Sequence, residues 1–222
     1  DEANRLLDEA GYTEKDADGF RTFKDGSGET ISFTIEGTVQ TGDPQEDAAQ
    51  MLVGYLAEVG IKATYRYFER SLYTEHYEAN EIEAAWWGGN RTILPIIDPG
   101  IMLGTMEGFP WANAWGRWKN RTDDPTGEEP PEGHWIWKIW EIWDQVSAEP
   151  DEAERNRLFA GILDIWADEL PMIGFVGELP ELVIVKKAMH NYPGNIPSEN
   201  ALGGEHFLQA QFVYWDDPEN HL

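Results

Sequence analysis

The sequence contains no cysteine, which excludes a disulfide framework, a thiolate metal site and a cysteine nucleophile. It has no apolar run near the roughly 20 residues that a membrane-spanning helix needs. Positive charge is scarce: 16 Lys and Arg stand against 42 Asp and Glu, a net charge of −26. Such a balance repels nucleic acid and anionic lipid head groups, and it suits a heavily solvated surface in salty surroundings. The histidines, His76, His134, His190, His206 and His221, are scattered without zinc spacing, and there is neither a Gly-x-Ser-x-Gly elbow nor a Gly-x-x-x-x-Gly-Lys phosphate loop. No metal, cofactor or catalytic centre is expected. The rival enzyme reading is a glycoside hydrolase, which needs two carboxylates held about 5 to 9.5 Å apart; pairs such as Glu128-Glu129 and Asp216-Asp217 read as solvated loop charges.

What is present is enough apolar matter for a core: 41% of the 222 residues are hydrophobic, which suits one large domain or a domain with a smaller appendage. The chain opens on Asp1-Glu2-Ala3 with neither Met nor a signal peptide, so targeting signals and a partner lobe are expected upstream. Leu6, Leu7 and Ala10 at helical spacing, ended by Gly11, predict a short first helix. Asp18-Gly19 and Asp25-Gly26 flank Phe20 to Phe23, and Ile31, Phe33 and Ile35 alternate with polar residues, which is hairpin chemistry. Asp43-Pro44 then provides a cap and a first-turn proline for a helix with the stripe Ala48, Met51, Leu52, Tyr55, Leu56 and Val59. Ile61, Ala63, Tyr65 and Tyr67 alternate directly after it, so strand, helix and strand form a parallel crossover unit. Ser71 to Ala79 reads as a helix and Ile82 to Trp87 as a strand. Trp135 to Val146 and Ala153 to Ala167 read as long helices parted at Glu149-Pro150-Asp151, and Pro171 to Val176 and Leu182 to Val185 as late strands. Residues 123–133, with Pro130-Pro131, look linker-like. The class is mixed α/β, a sheet flanked by helices.

Several of these pieces resemble a known family. ANRLLDEAGYTEKDADGFR at the start, AAQMLVGYLAEVGIKATYR, Asp98-Pro99 after an aromatic strand, and the closing PMIGFVGELPELVIVKK are similar to the C-terminal lobe of the family-5 extracellular solute-binding proteins. The resemblance covers nearly all of residues 1–222, in order. It implies one lobe of a Venus-flytrap, periplasmic-binding-protein-like receptor that captures an oligopeptide or oligosaccharide outside the cytoplasm, as a secreted protein or lipoprotein, and delivers it to the permease subunits of an ABC importer. It implies a binding protein rather than an enzyme, with the N-terminal lobe of the same protein as its structural partner. In peptide-binding members the loop after the strand matching Ile82 to Trp87 carries an aspartate for the peptide's α-amino group. Here Gly88-Gly89-Asn90 offers Asn90, a neutral amide that cannot neutralise a buried ammonium.

The tryptophans point to another solute. A sugar ring presents an apolar C–H face and a rim of hydroxyls, so its receptor needs flat aromatic platforms with polar groups at their edges. Trp86 and Trp87 precede Asn90 and Arg91, and FPWANAWGRWKN presents Trp111 and Trp115 with Asn113. These seven residues are the candidate ligand contacts, with an oligosaccharide favoured and an oligopeptide receptor or a carbohydrate-binding module as alternatives. Trp86 and Trp87 point to opposite sides of a strand, so at most one faces a cleft. Trp111 and Trp115 stand in loop-like sequence, where a surface role is expected. Arg91 suits a ligand contact or a rim salt bridge. Trp140 and Trp143, on one helical face with Ile136, and Trp166, with Ile162 and Ile165, read as packing.

Overall fold

The computed structural model describes residues 1–89, 92, 94–121, 123–175, 177, 182–192, 194 and 210–220. Two units are present, one formed by Asp1–Gly88 with Gly108–Ala114, the other by Gly89–Glu107 with Trp115–Leu222.

The first unit begins with helix α1 (Glu2–Glu9). A turn follows in which single antiparallel bridges join Lys15 to Arg21 and Thr22 to Thr30, the minimal form of the expected hairpin. Arg21 is 2% exposed and its guanidinium has a partner on every side. Nε donates to the Val59 carbonyl at 2.7 Å, Nη1 to Asp8 Oδ1 at 2.5 Å and to the Tyr12 carbonyl, and Nη2 to Asn4 Oδ1 at 2.8 Å. A buried guanidinium is tolerable only when satisfied in this way, so this one side chain ties α1 to the βαβ unit. That unit consists of β1 (Ser32–Gly37), α2 (Pro44–Glu58) and β2 (Lys62–Tyr67). Asp43 accepts the Gln45 N–H at 2.8 Å ahead of a first-turn proline, as the cap chemistry predicts. β1 pairs in parallel with β2, and on its other side with β3 (Ala84–Trp86), giving the order β2-β1-β3. β3 is shorter than the predicted Ile82–Trp87 strand. Helix α3 (Arg70–Glu78), capped by Glu69, buries Tyr73 and Tyr77 against Phe68, with Ile82 and Trp87 packed on the cluster.

The second unit contains most of α4 (Asn113–Asn120), α5 (Ile136–Ala148) and α6 (Glu152–Glu169). α5 and α6 pack on each other across the predicted break at 149–151, burying Ile136, Ile139, Trp140, Val146, Phe159 and Ile162. Trp143 lies edge-on to Phe159, so the tryptophans read as packing residues do pack. Two of them also hold a loop: Trp140 Nε1 donates to the Leu103 carbonyl at 2.8 Å and Trp166 Nε1 to the Met102 carbonyl at 2.9 Å. Next to that loop, a Cβ on Gly116 would sit 2.3 Å from the Gly104 carbonyl oxygen, so only glycine permits this approach of α4.

Two expectations are corrected. Trp115, read as standing in loop-like sequence, lies on helix α4, because the close contact at Gly116 and the packing of Trp118 against Trp137 and Trp140 override the poor helix propensity of Asn and Gly. Residues 171–175 and 182–185 form no strand; Leu182 and Ile184 are each 87% exposed, and a strand exists only where a neighbour takes up its backbone groups. Val176 lies outside the described residues. The late strands that do form are β4 (Met189–His190) and β5 (Tyr214–Trp215), paired antiparallel.

Candidate functional site

Trp86 closes β3 and is half-buried. Its register partner on β1 is Gly37, where an added Cβ would lie 3.0 Å from Trp86 Cβ and 2.9 Å from Tyr65 Oη. The carboxyl end of the central strand is thus kept bare so that two aromatic side chains can crowd over it. Tyr65 Oη donates to the Val39 carbonyl at 2.7 Å and accepts the Val39 N–H at 3.2 Å, which fixes the loop leaving β1. In an open parallel sheet, the carboxyl ends of the strands are where ligand-contacting loops emerge.

Trp87 is turned into the protein. Its ring stacks on Tyr73 with centroids 5.1 Å apart and planes 5° from parallel, and the Arg70 guanidinium lies over it at 4.3 Å. Tyr73 and Arg70 thus flank the Trp87 ring, which remains half-buried. Asn90 and Arg91 lie outside the described residues. Near them, Thr92 Oγ1 donates to the Gly89 carbonyl at 2.8 Å.

Trp111 is half-buried, and Ala112 after it has a φ of +53°. Asn113 is buried and its Nδ2 donates to the Tyr77 carbonyl at 2.9 Å, so this amide is spent inside the first unit. Trp115, half-buried on α4, meets the His134 ring edge-on at 4.5 Å. Trp86, Trp87, Trp111 and Trp115 are all half-buried; Trp87 shares its ring with Tyr73 and Arg70, Trp115 meets His134, and the Asn113 amide is held by the Tyr77 carbonyl.

Polar groups that sequence reading did not single out lie beside Trp87. His76 Nδ1 and Glu36 Oε2 are 2.9 Å apart and half-buried, and the His76 ring meets Phe68 edge-on at 4.6 Å. The Tyr73 hydroxyl is fully buried with no hydrogen-bond partner among the described residues, and burial pushes its ionisation well above the ordinary range of a phenol. The spacing Phe68, Tyr73, Tyr77 could have signalled this cluster, but the contact with Trp87 is long-range and carries no sequence signature. In the second unit, a concavity of about 520 Å³ is lined by Glu129, Pro130, Glu132, Gly133 and Trp137, with Trp137 Nε1 donating to the Pro131 carbonyl at 3.1 Å. It falls where the sequence suggested a linker. Among the described residues no cluster of His, Asp and Glu could hold a metal ion, and no helix is long and apolar enough to cross a membrane.

Residues 1–98 match the family described as bacterial extracellular solute-binding proteins, family 5 Middle. Among solved structures, an oligopeptide-binding protein OppA aligns at 27% identity and a TM-score of 0.72, over 96% of this chain and 35% of its own. NikA from Brucella suis, solved with Fe(III)-EDTA, aligns at 20% identity and a TM-score of 0.54, over 75% of this chain and 29% of its own. The periplasmic oligopeptide-binding protein of an ABC transporter from Thermotoga maritima, solved with mannohexaose bound, aligns at 18% identity and a TM-score of 0.52, over 76% and 29%. The chain thus spans about a third of the length of these relatives. No curated protein matches the sequence.

Proposed function

Because residues 1–98 match the bacterial extracellular solute-binding proteins of family 5, we propose that the protein carrying this chain is the substrate-binding component of an ABC importer, capturing an oligosaccharide or oligopeptide on the outer side of the cytoplasmic membrane. The observation that carries this reading is the alignment of 96% of the chain with an oligopeptide-binding protein at a TM-score of 0.72. The proposed partners are the importer's permease subunits and the lobe of the same protein that lies outside this chain, and the proposed location is periplasmic or extracellular. The role is binding and release rather than bond chemistry. A solute held between two lobes stabilises the closed form because it makes more contacts there than in the open form.

Between the two solute classes we favour an oligosaccharide. Trp86, Trp111 and Trp115 offer partly exposed indole surface, the element that a pyranose face requires. Asn90 replaces the acid expected for a peptide's ammonium group, and Arg91 would serve the hydroxyl rim. Both solute classes are found on this fold, one in the name of the OppA relative and the other as mannohexaose in the Thermotoga maritima structure. The oligopeptide alternative rests on the first of these.

A ligand-dependent melting screen of the full-length protein tests the proposal, since a ligand at about 100 times its Kd adds about 2.7 kcal/mol of stability. Stabilisation by short β- or α-linked oligosaccharides is expected. Stabilisation by oligopeptides alone would transfer the assignment to the alternative, and none by either class would remove the receptor reading.

A further inference from the structure

The charge imbalance has a structural side that solute capture does not require. An α-helix ends in unsatisfied carbonyls equivalent to a partial negative charge, so its last turn favours Lys, Arg or His and disfavours Asp and Glu. In this protein α1, α2, α5 and α6 have no basic residue in their last turn. Three of these ends carry carboxylates instead: Asp8 and Glu9 on α1, paired with Arg21 and Arg5, Glu58 as the final residue of α2, and Asp168 and Glu169 at the close of α6. Glu58, Asp168 and Glu169 are exposed and form no ion pair or hydrogen bond with the described residues. Each sits at the negative end of a helix dipole, within a chain whose net charge is already −26.

We propose that the native state of this protein is salt-dependent, with high concentrations of monovalent cation required to screen carboxylates that the fold leaves uncompensated, most locally at the ends of α2 and α6. The physics sets the concentration range. Repulsion among like charges destabilises a compact state more than an extended one, and the screening length falls from about 10 Å at 0.1 M salt to about 3 Å at 1 M. Screening at 0.1 M leaves neighbouring carboxylates on one helix in contact with each other's field, and screening at 1 M removes most of it. The effect differs in origin from the general strengthening of apolar burial by excluded salts, because it is confined to charge and disappears when the charge is removed.

The test measures melting by circular dichroism for the full-length protein and for the triple variant Glu58→Gln, Asp168→Asn, Glu169→Gln, each in KCl at about 0.1 M and about 1 M. The wild-type protein is expected to melt about 10 °C higher, or more, at the higher salt. The variant is expected to melt above the wild type at low salt and level with it at high salt, so that its salt response is smaller. A melting temperature that does not move with KCl overturns the proposal. So does a variant whose rise equals that of the wild type, since the stabilisation would then come from apolar burial.

Discussion

The Trp87 ring lies parallel to Tyr73 at 5.1 Å, and this stack decides how the adjacent tryptophans at the end of β3 are used. One ring, Trp87, packs on the cluster of Phe68, Tyr73 and Tyr77, while Trp86 stays at the strand terminus beside Gly37. Replacing Trp87 by Ala removes a large ring from that cluster, and a loss of about 3 kcal/mol is expected in chemical denaturation. A smaller loss than about 1 kcal/mol would show that Trp87 is free to serve a ligand.

The same cluster gives a prediction of opposite sign. The Tyr73 hydroxyl is buried without a partner among the described residues, and an unsatisfied buried polar group costs about 1–3 kcal/mol. Tyr73→Phe is therefore expected to leave stability unchanged or raise it by about 1 kcal/mol, read from the same denaturation curves. A clear loss would mean that the hydroxyl is hydrogen-bonded.

Arg21 is the tie between α1 and the βαβ unit, with donors directed at Val59, Asp8, Tyr12 and Asn4. Arg21→Ala strands these acceptors and is expected to cost about 3 kcal/mol or more. Arg21→Lys is expected to recover little, because an ammonium cannot reproduce the fork that meets several acceptors at once. Recovery to within about 0.5 kcal/mol by Lys would show that charge alone matters.

How much of this was legible in the sequence follows the range of the forces involved. The βαβ unit was readable because Asp43-Pro44 and the alternation through Tyr65 and Tyr67 are local signals, and the α5 and α6 stripes were readable for the same reason. Helix α4 was not, because Asn113 and Gly116 are weak helix formers held by contacts distant in sequence. The apolar run at Leu182 to Val185 reads as strand from composition, yet a strand needs a neighbour, and a sequence pattern does not say whether one is supplied. Of the candidate contacts, the alternation rule allows at most one of Trp86 and Trp87 to face a cleft, and it could not say that Trp87 stacks on Tyr73. The engagement of Asn113 by the Tyr77 carbonyl was equally invisible.

Acid should loosen the first unit through Asp16. Its carboxylate accepts the Thr30 hydroxyl at 2.6 Å and the Asp18 and Phe20 N–H groups at 2.9 Å each, and these bonds, the Thr30 hydroxyl foremost, hold it below the usual carboxylate range. A group whose pKa is lowered by folding contributes its stability above the unfolded value, about 3.9, and loses it as pH falls through the folded value. Melting temperature is thus expected to fall as pH drops below about 4, and Thr30→Val is expected to flatten that fall. An identical acid response in the variant would assign the effect to other carboxylates.

The central claim is that this chain forms part of a receptor for an extracytoplasmic oligomeric solute. Tryptophan fluorescence of the full-length protein, titrated in parallel with short oligosaccharides and with oligopeptides, tests it directly. The expected result is a saturable change with an oligosaccharide that weakens at least tenfold in Trp86→Ala or Trp111→Ala without a large drop in melting temperature. No saturable change with either class, up to concentrations of about 1 mM where even a binding energy near 4 kcal/mol would register, would contradict it.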